Sequence, residues 1–180
     1  MILLYDIGTN KDLIDNLKDN PGISLIINNH NTITEYARAN KIKIIASIDS
    51  PLFESDNDVL AKKLQLITPI NPLKIKLEEI NDIELKSLLL DHDGDIYLEK
   101  KDNNIFLNNN LQKILSFFTA KHIILYGITK TEEIMKAALS LSYLDAKISI
   151  VEDAILPVNW LDNNIKQLFD KLNDKNISFI

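Results

Sequence analysis

The 180-residue sequence predicts an α/β fold, with an open parallel sheet and helices on both of its faces. Short apolar runs suited to buried parallel strands alternate along the chain with amphipathic stretches of helical spacing. Asp6, Lys100 and the turn at Gly127 each come at the end of one of these runs. Open parallel sheets bind their ligands at the carboxyl ends of their strands, so this edge is the predicted functional edge.

The predicted elements follow one another without an internal repeat or a linker. Each apolar run of four to six residues is interpreted as a strand, and each longer periodic stretch as a helix. A further helix is predicted after Gly127. The predicted strands cover residues 2–6, 43–48, 95–99, 122–126, 147–151 and 177–180. The other predicted helices cover residues 24–39, 56–66, 78–90, 109–118 and 160–172.

Length, charge and composition exclude several classes of function. With 46% apolar residues, a chain of this length predicts a single domain over residues 1–180. A formal net charge of −6 without a basic run argues against nucleic-acid or anionic-membrane partners. The first residues lack a basic leader and no apolar run is long enough to span a membrane, so the expected location is the cytoplasm. The absence of cysteine excludes disulfides, thiolate metal sites and thiol catalysis.

Some polar residues are interpreted structurally. The basic residues are nearly all lysine, with Arg38 as the one arginine, which is typical of codon usage in an AT-rich genome. Arg38 is expected to face solvent because Ile33, Tyr36 and Ala37 supply the apolar positions of its helix. The asparagines at 108–110 are interpreted as the approach to a helix, with one of them as its N-cap.

The segment from Gly127 reads as a strand that breaks into a helix where many α/β enzymes place a nucleophile, yet it carries none. With the preceding strand and a second strand ending at Asp153-Ala154, it resembles the core of the isochorismatase-like hydrolases, which include nicotinamidases. In that register Glu133 falls at the position of the nucleophilic cysteine, and Lys130 at that of a threonine. Asp6 matches the catalytic aspartate at the end of the first strand, and Lys100 the catalytic lysine.

The resemblance carries structural expectations over nearly the whole chain. It implies a three-layer α-β-α, Rossmann-like fold with a six-stranded parallel sheet in the order 3-2-1-4-5-6. It also implies a cis peptide bond between Ile128 and Thr129, and an oxyanion hole formed by the backbone N–H groups of Thr129 and Glu133. Members of the family are commonly dimers or tetramers, so a homo-oligomer is expected.

The carboxylate of Glu133 should be stabilised at the start of a helix by the free N–H groups and the macrodipole. Thr129 and Glu132 also fit a capping box. A carboxylate beside Asp6 needs a cation between the two, and Lys100 is the candidate. The sequence therefore predicts an ionic triad of Asp6, Lys100 and Glu133.

Three functions remain open for this triad. It can be a structural relic of an active site in a non-catalytic family member. It can bind a small carbonyl or carboxylate ligand against Lys100 without turnover. Alternatively, the carboxylates of Glu133 and Asp6 can act with Lys100 in an active hydrolase of a small amide or vinyl ether, although carboxylate attack on an amide gives a reactive anhydride.

A metal site or another cofactor is not expected. Nicotinamidase-like proteins carry an Asp-x-His near the site, but here Asp49 is followed by Pro51 at the histidine position. The three histidines, His30, His92 and His122, are interpreted as lying elsewhere. The acidic stretch 91–95 is interpreted as a turn and not as a calcium loop, because no bidentate glutamate follows at the required spacing.

Overall fold

The architecture is an open parallel sheet, seen in a computed structural model that describes residues 1–9, 11–19, 21–56, 67–68, 71–101, 108–157, 162–175 and 177–180. Within these residues seven strands run in the order β3-β4-β2-β1-β5-β6-β7, and every neighbouring pair is parallel. The strands are β1 Ile2–Ile7, β2 Lys43–Asp49, β3 Leu73–Ile75, β4 Ile96–Lys100, β5 His122–Tyr126, β6 Lys147–Ile150 and β7 Ser178–Phe179.

Helices connect the strands. They are α1 Lys11–Leu17, α2 Pro21–Ala39, α3 Ser50–Phe53, α4 Asp82–Leu90, α5 Asn110–Phe118, α6 Thr131–Leu141 and α7 Asn163–Asp174, with a short 3-10 helix at Glu152–Ala154. None of the described helices combines the length and the apolar character that a membrane span requires.

The α/β class and the parallel sheet are confirmed, but the predicted strand count is wrong. The six predicted strands are present in the predicted order, and β3 adds a seventh at the edge beside β4. With three residues directly after Asn71-Pro72, β3 is too short to give a periodic pattern. The predicted helix at 56–66 falls almost entirely outside the described residues, as does the start of the one predicted at 160.

The core lies on both faces of the sheet. Side chains alternate along a strand, so Leu3 and Ile7 of β1 pack on one face, in the large cluster that also contains apolar residues of α4 to α7. Leu4 points to the opposite face and packs with Ala37 of α2 and Tyr126 of β5. The two faces therefore bury separate sets of side chains.

Helix α2 ends at Ala39 as predicted but begins three residues before the predicted start at residue 24. Pro21 begins the helix, because proline is well suited to the first helical turn. Tyr36 is exposed and not part of the apolar stripe. Arg38 does not face solvent, since its guanidinium donates to Asp95 at 2.5 Å and its side chain is only 17% exposed.

One of the asparagines before α5, Asn109, is the N-cap residue as predicted, although its side chain makes no capping bond. The side-chain oxygen of the buried Asn108 accepts from the N–H of Asn110, the first helical residue, at 3.0 Å. The amide of Asn108 also donates to the carbonyl groups of Lys76 and Glu99. Asn110 donates to the carbonyl groups of Lys76 and Glu78 and accepts from the N–H of Ile80, at 2.9–3.2 Å. These bonds hold the segment after β3 against the start of α5.

Replacing Asn110 by alanine should destabilise the fold, because three hydrogen bonds are lost and backbone groups of residues 76–80 lose their partner. We expect a loss of about 2–4 kcal/mol in the free energy of unfolding, measured by urea denaturation. The neighbouring Asn109→Ala is the control and should be nearly neutral, since its exposed side chain makes no capping bond. Equal effects of the two variants would contradict the role given to Asn110.

Candidate functional site

Charged side chains meet at the carboxyl ends of the central strands. Asp6 lies near the end of β1, Asp49 and Lys100 are the last residues of β2 and β4, and Gly127 follows β5. Asp49 and Lys100 are also direct neighbours in the register of the two strands. The sheet thus places these groups on the edge where open parallel sheets bind ligands.

Lys100 is the centre of the first of two networks at this edge. Its Nζ lies 3.2 Å from Oδ1 of Asp49 and 3.4 Å from Oε2 of Glu133. The hydroxyl of Thr129 donates to the same Oε2 of Glu133 at 2.8 Å. The Lys100 side chain is 2% exposed, against 11% for Glu133 and 28% for Asp49. A buried ammonium is therefore shared by two carboxylates, of which Asp49 is the more open to solvent.

Asp6 belongs to a second network, on the other face of the sheet. Its Oδ2 lies 2.9 Å from Nε2 of His30 on α2, and its Oδ1 accepts from the hydroxyl of Thr9 at 2.8 Å. The ring of His30 stacks at 4.8 Å on that of Tyr126, whose hydroxyl contacts Thr34 at 3.3 Å. Burial, and then the negative charge of Asp6, raise the pKa of Tyr126 well above its usual value, so its phenol stays protonated.

The predicted triad is only half present, because Glu133 pairs with Lys100 and Asp6 pairs with His30. Alternation along the strands explains the separation. Lys100 follows Leu98 onto the face that carries α6, whereas Asp6 follows Leu4 onto the face that carries α2. Among the described residues, no ion pair joins Asp6 to Lys100.

Two glycines make room for these networks. A Cβ atom at Gly8 would lie 2.5 Å from Nζ of Lys100, and one at Gly127 would lie 2.7 Å from Oδ1 of Asp6 and 2.6 Å from the Ile7 carbonyl. Both glycines have positive φ, 55° and 139°, which other residues adopt at a cost. A side chain at position 8 would meet the Lys100 ammonium.

The turn after Gly127 differs from the geometry that the sequence and the resemblance predict. The peptide bond between Ile128 and Thr129 is trans, the form that non-proline residues favour by about 2.5–4 kcal/mol, and Gly127 supplies the change of direction with its positive φ. Helix α6 begins at Thr131 with Lys130 as its N-cap, so the predicted capping box of Thr129 and Glu132 is wrong. The hydroxyl of Thr129 binds the Glu133 carboxylate instead.

The expected oxyanion hole is also changed. The N–H group of Glu133 donates to the carbonyl of Lys130 at 2.8 Å. One of the two N–H groups expected to form the oxyanion hole is therefore occupied within the turn. Thr129 is buried. The arrangement presents a carboxylate and a hydroxyl at this turn, and not a pair of free N–H groups.

Three residues that bind Asp6 or Lys100 directly, namely His30, Thr9 and Asp49, are not among the partners predicted from the sequence. His30 could have been found from the spacing of the buried residues of α2, since it lies three residues after Ile27 and four before Thr34. Asp49 was considered only as a metal ligand. The partnership of Thr9 with Asp6 depends on the tight turn at Gly8, for which a local pattern gives no signal.

The residues of the site do not fit a metal ion. Among the described residues, no three histidine, cysteine or carboxylate side chains are arranged to hold one. Pro51 occupies the position of the histidine in the Asp-x-His pattern, and the Lys100 ammonium lies between Asp49 and Glu133, where a cation would have to bind.

Removing the ammonium of Lys100 should destabilise the protein strongly, because Lys100→Met leaves Glu133 as a largely buried charge without its cation. We expect a loss of about 3 kcal/mol or more in the free energy of unfolding, and partial recovery in the double variant Lys100→Met/Glu133→Gln. Lys121→Met is the matched control, because its pair with Asp145 is exposed. A neutral effect of Lys100→Met would show that the network carries no stability.

Comparisons with known proteins agree with this architecture. The nicotinamidase of Staphylococcus aureus superposes with a TM-score of 0.63 at 13% identity, covering 98% of this chain and 97% of that chain. The pyrazinamidase/nicotinamidase of Streptococcus mutans gives 0.63 at 18% identity and covers 100% of both chains. The N-carbamoylsarcosine amidase of Thermoplasma acidophilum gives 0.59 at 19% identity, covering 99% and 93%. At these identities the likeness shows a shared fold.

The sequence itself gives one match to a family and none to a characterised protein. No protein of curated function matches at a significant level. The isochorismatase domain profile matches residues 1–174, which is nearly the whole chain. Together with the parallel sheet and the absence of cysteine, this match shows that the chain belongs to the isochorismatase family, as a divergent member without a thiol.

Proposed function

We propose that this protein is a non-catalytic member of the isochorismatase family, in which a charged network holds together the strand ends that form the active site in the family. The main support is the pairing of Lys100 with both Asp49 and Glu133 while its side chain is almost fully buried. A lysine held in this way joins β2, β4 and α6. This role needs neither a nucleophile nor a free acid.

The chemistry of the two networks argues against turnover. A Glu133 carboxylate that attacked an amide would form an anhydride. Its Oε2 already accepts from the Lys100 ammonium at 3.4 Å and from the Thr129 hydroxyl at 2.8 Å. Asp6, which resembles the catalytic acid of the family, has both oxygens engaged by His30 and Thr9. The alternative, an active carboxylate hydrolase, requires Asp6 and Glu133 to act together.

If the site retains a ligand, the charges favour a neutral one. On the face that carries Lys100, the carboxylates of Asp49 and Glu133 stand against its single ammonium, a formal charge of −1. A carboxylate ligand would be repelled, since like charges within a few ångströms raise the cost of burial. A small neutral carbonyl compound is therefore the ligand class that we propose. Oligomeric state and cytoplasmic location stay predictions of the sequence.

The absence of turnover can be tested with the amides after which the structurally similar enzymes are named. Nicotinamide and N-carbamoylsarcosine should be hydrolysed no faster with the wild-type protein than in buffer. Glu133→Gln should give the same result, because no thiol or free carboxylate pair is present. Release of ammonia is the measurement.

The matched control is Glu132→Gln, since Glu132 lies next in the sequence but pairs with Lys136 away from the network. Hydrolysis by the wild type and by Glu132→Gln, lost in a folded Glu133→Gln variant, would overturn the proposal. It would establish the carboxylate hydrolase instead.

Introducing the thiol separately tests whether the rest of an active site persists. Glu133→Cys should give a thiol that iodoacetamide alkylates, since the neighbouring Lys100 ammonium favours the thiolate. We expect no amide hydrolysis, because Asp6 stays bound to His30 and Thr9. Hydrolysis by this single variant would mean that Asp6 is available as an acid and that the pocket is intact.

A further inference from the structure

A second concave site lies at the opposite end of the sheet from the networks described above. The cavity lies beside the amino-terminal ends of β2 and β4 and has a volume of about 480 Å³. Its charged lining comes from Arg38 in the last turn of α2 and Lys41 after that helix, from Lys43 at the start of β2, and from Asp93 and Asp95 before β4. It shares no residue with the Lys100 and Asp6 networks.

Lys43 is a partly buried ammonium in this cavity. Its Nζ donates to the carbonyl groups of His92 and Gly94, both at 3.0 Å, and lies 5.9 Å from the centroid of the Phe118 ring. Among the described residues no further oxygen accepts its third N–H. None of the described carboxylates forms an ion pair with it, although Asp93 and Asp95 act on it at longer range. Burial lowers the pKa of Lys43 and those two carboxylates partly offset the effect. A desolvated cation without a direct counterion favours an anion nearby.

Arg38 adds a second cation whose donors are not all used. One Nη donates to Asp95 and the other to the carbonyl of Thr68, at 2.5 and 3.0 Å. Its Nε is buried and has no acceptor among the described residues. Since a guanidinium carries five N–H donors, this side chain can bind a further oxygen without releasing Asp95.

The charges in the lining do not balance. Arg38, Lys41 and Lys43 face two carboxylates, so the lining is formally +1 in a protein whose net charge is −6. Asp95 is already bound by Arg38, and Asp93 accepts from the amide of Asn71. The macrodipole at the end of α2 accounts for cations at Arg38 and Lys41, but not for Lys43, which belongs to a strand.

We propose that this cavity binds a small oxyanion, a phosphate or carboxylate group, through the ammonium groups of Lys41 and Lys43 with the Arg38 guanidinium beside them. The anion would supply the acceptor that Lys43 lacks. This site is separate from the proposed function at the carboxyl ends of the strands and does not depend on it.

Titration of the ¹⁵N-labelled full chain tests the proposal, with sodium phosphate in one series and sodium malonate in the other, at pH 7 and constant ionic strength. Saturable shifts of backbone amides confined to residues 41–44 and 93–95 are expected for at least one of the two anions. Their comparison tells a phosphate ligand from a carboxylate ligand. Lys43→Gln should weaken the affinity at least tenfold, and Lys41→Gln severalfold.

The control is Lys121→Gln, an exposed lysine paired with Asp145, which should bind as the wild type does. If Lys43→Gln does not fold, Lys41→Gln and the location of the wild-type shifts still decide the question. Absence of saturable shifts with both anions, shifts centred on other residues, or an affinity unchanged in the folded lysine variants would overturn the proposal.

Discussion

The burial of the Lys100 ammonium is the constraint on which the functional end of this fold depends. A cation with almost no contact with water is stable only when carboxylates lie against it, and Asp49 and Glu133 fill that need from a strand end and a helix start. The requirement fixes the first turn of α6 relative to β2 and β4. It also explains the glycine at position 8, since any side chain there would meet the ammonium.

The second network solves a similar problem on the other face of the sheet. The carboxylate of Asp6 is buried, and two donors from different segments, His30 and Thr9, satisfy its oxygens. The aromatic ring of Tyr126 closes the network against α2. Each face of the sheet therefore satisfies its own charges, so the polar groups in the interior do not need a connection through the sheet. A family active site, by contrast, requires its acid and its nucleophile to meet.

Much of the architecture could be predicted, because buried parallel strands give continuous apolar runs between amphipathic helices. The strand β3 and the helix α1 could not be predicted in the same way, since the first is only three residues long and the second lies in a polar segment. The face on which Asp6 lies could not be read either. Every residue of β1 after Ile2 is buried, so its apolar pattern does not show the alternation.

The partners of the buried polar residues show what local sequence patterns can and cannot predict. Lys100 and Glu133 were predicted as partners because a cation was needed beside the carboxylate, and this argument from charge is independent of local structure. The partners of Asn108 and Asn110 are backbone groups of a distant segment, which no local rule specifies. The capping rule therefore predicted the local role of these asparagines and not the bonds by which they hold two segments together.

The two edge strands of the sheet affect how copies of this protein can associate. The outermost strands, β3 and β7, have only three and two residues, so each offers few unpaired backbone groups to a foreign strand. Continuation of the sheet from one molecule into the next would gain little hydrogen bonding. Short edge strands of this kind protect against amyloid-like stacking of sheets. They leave the helical faces as the better surfaces for self-association.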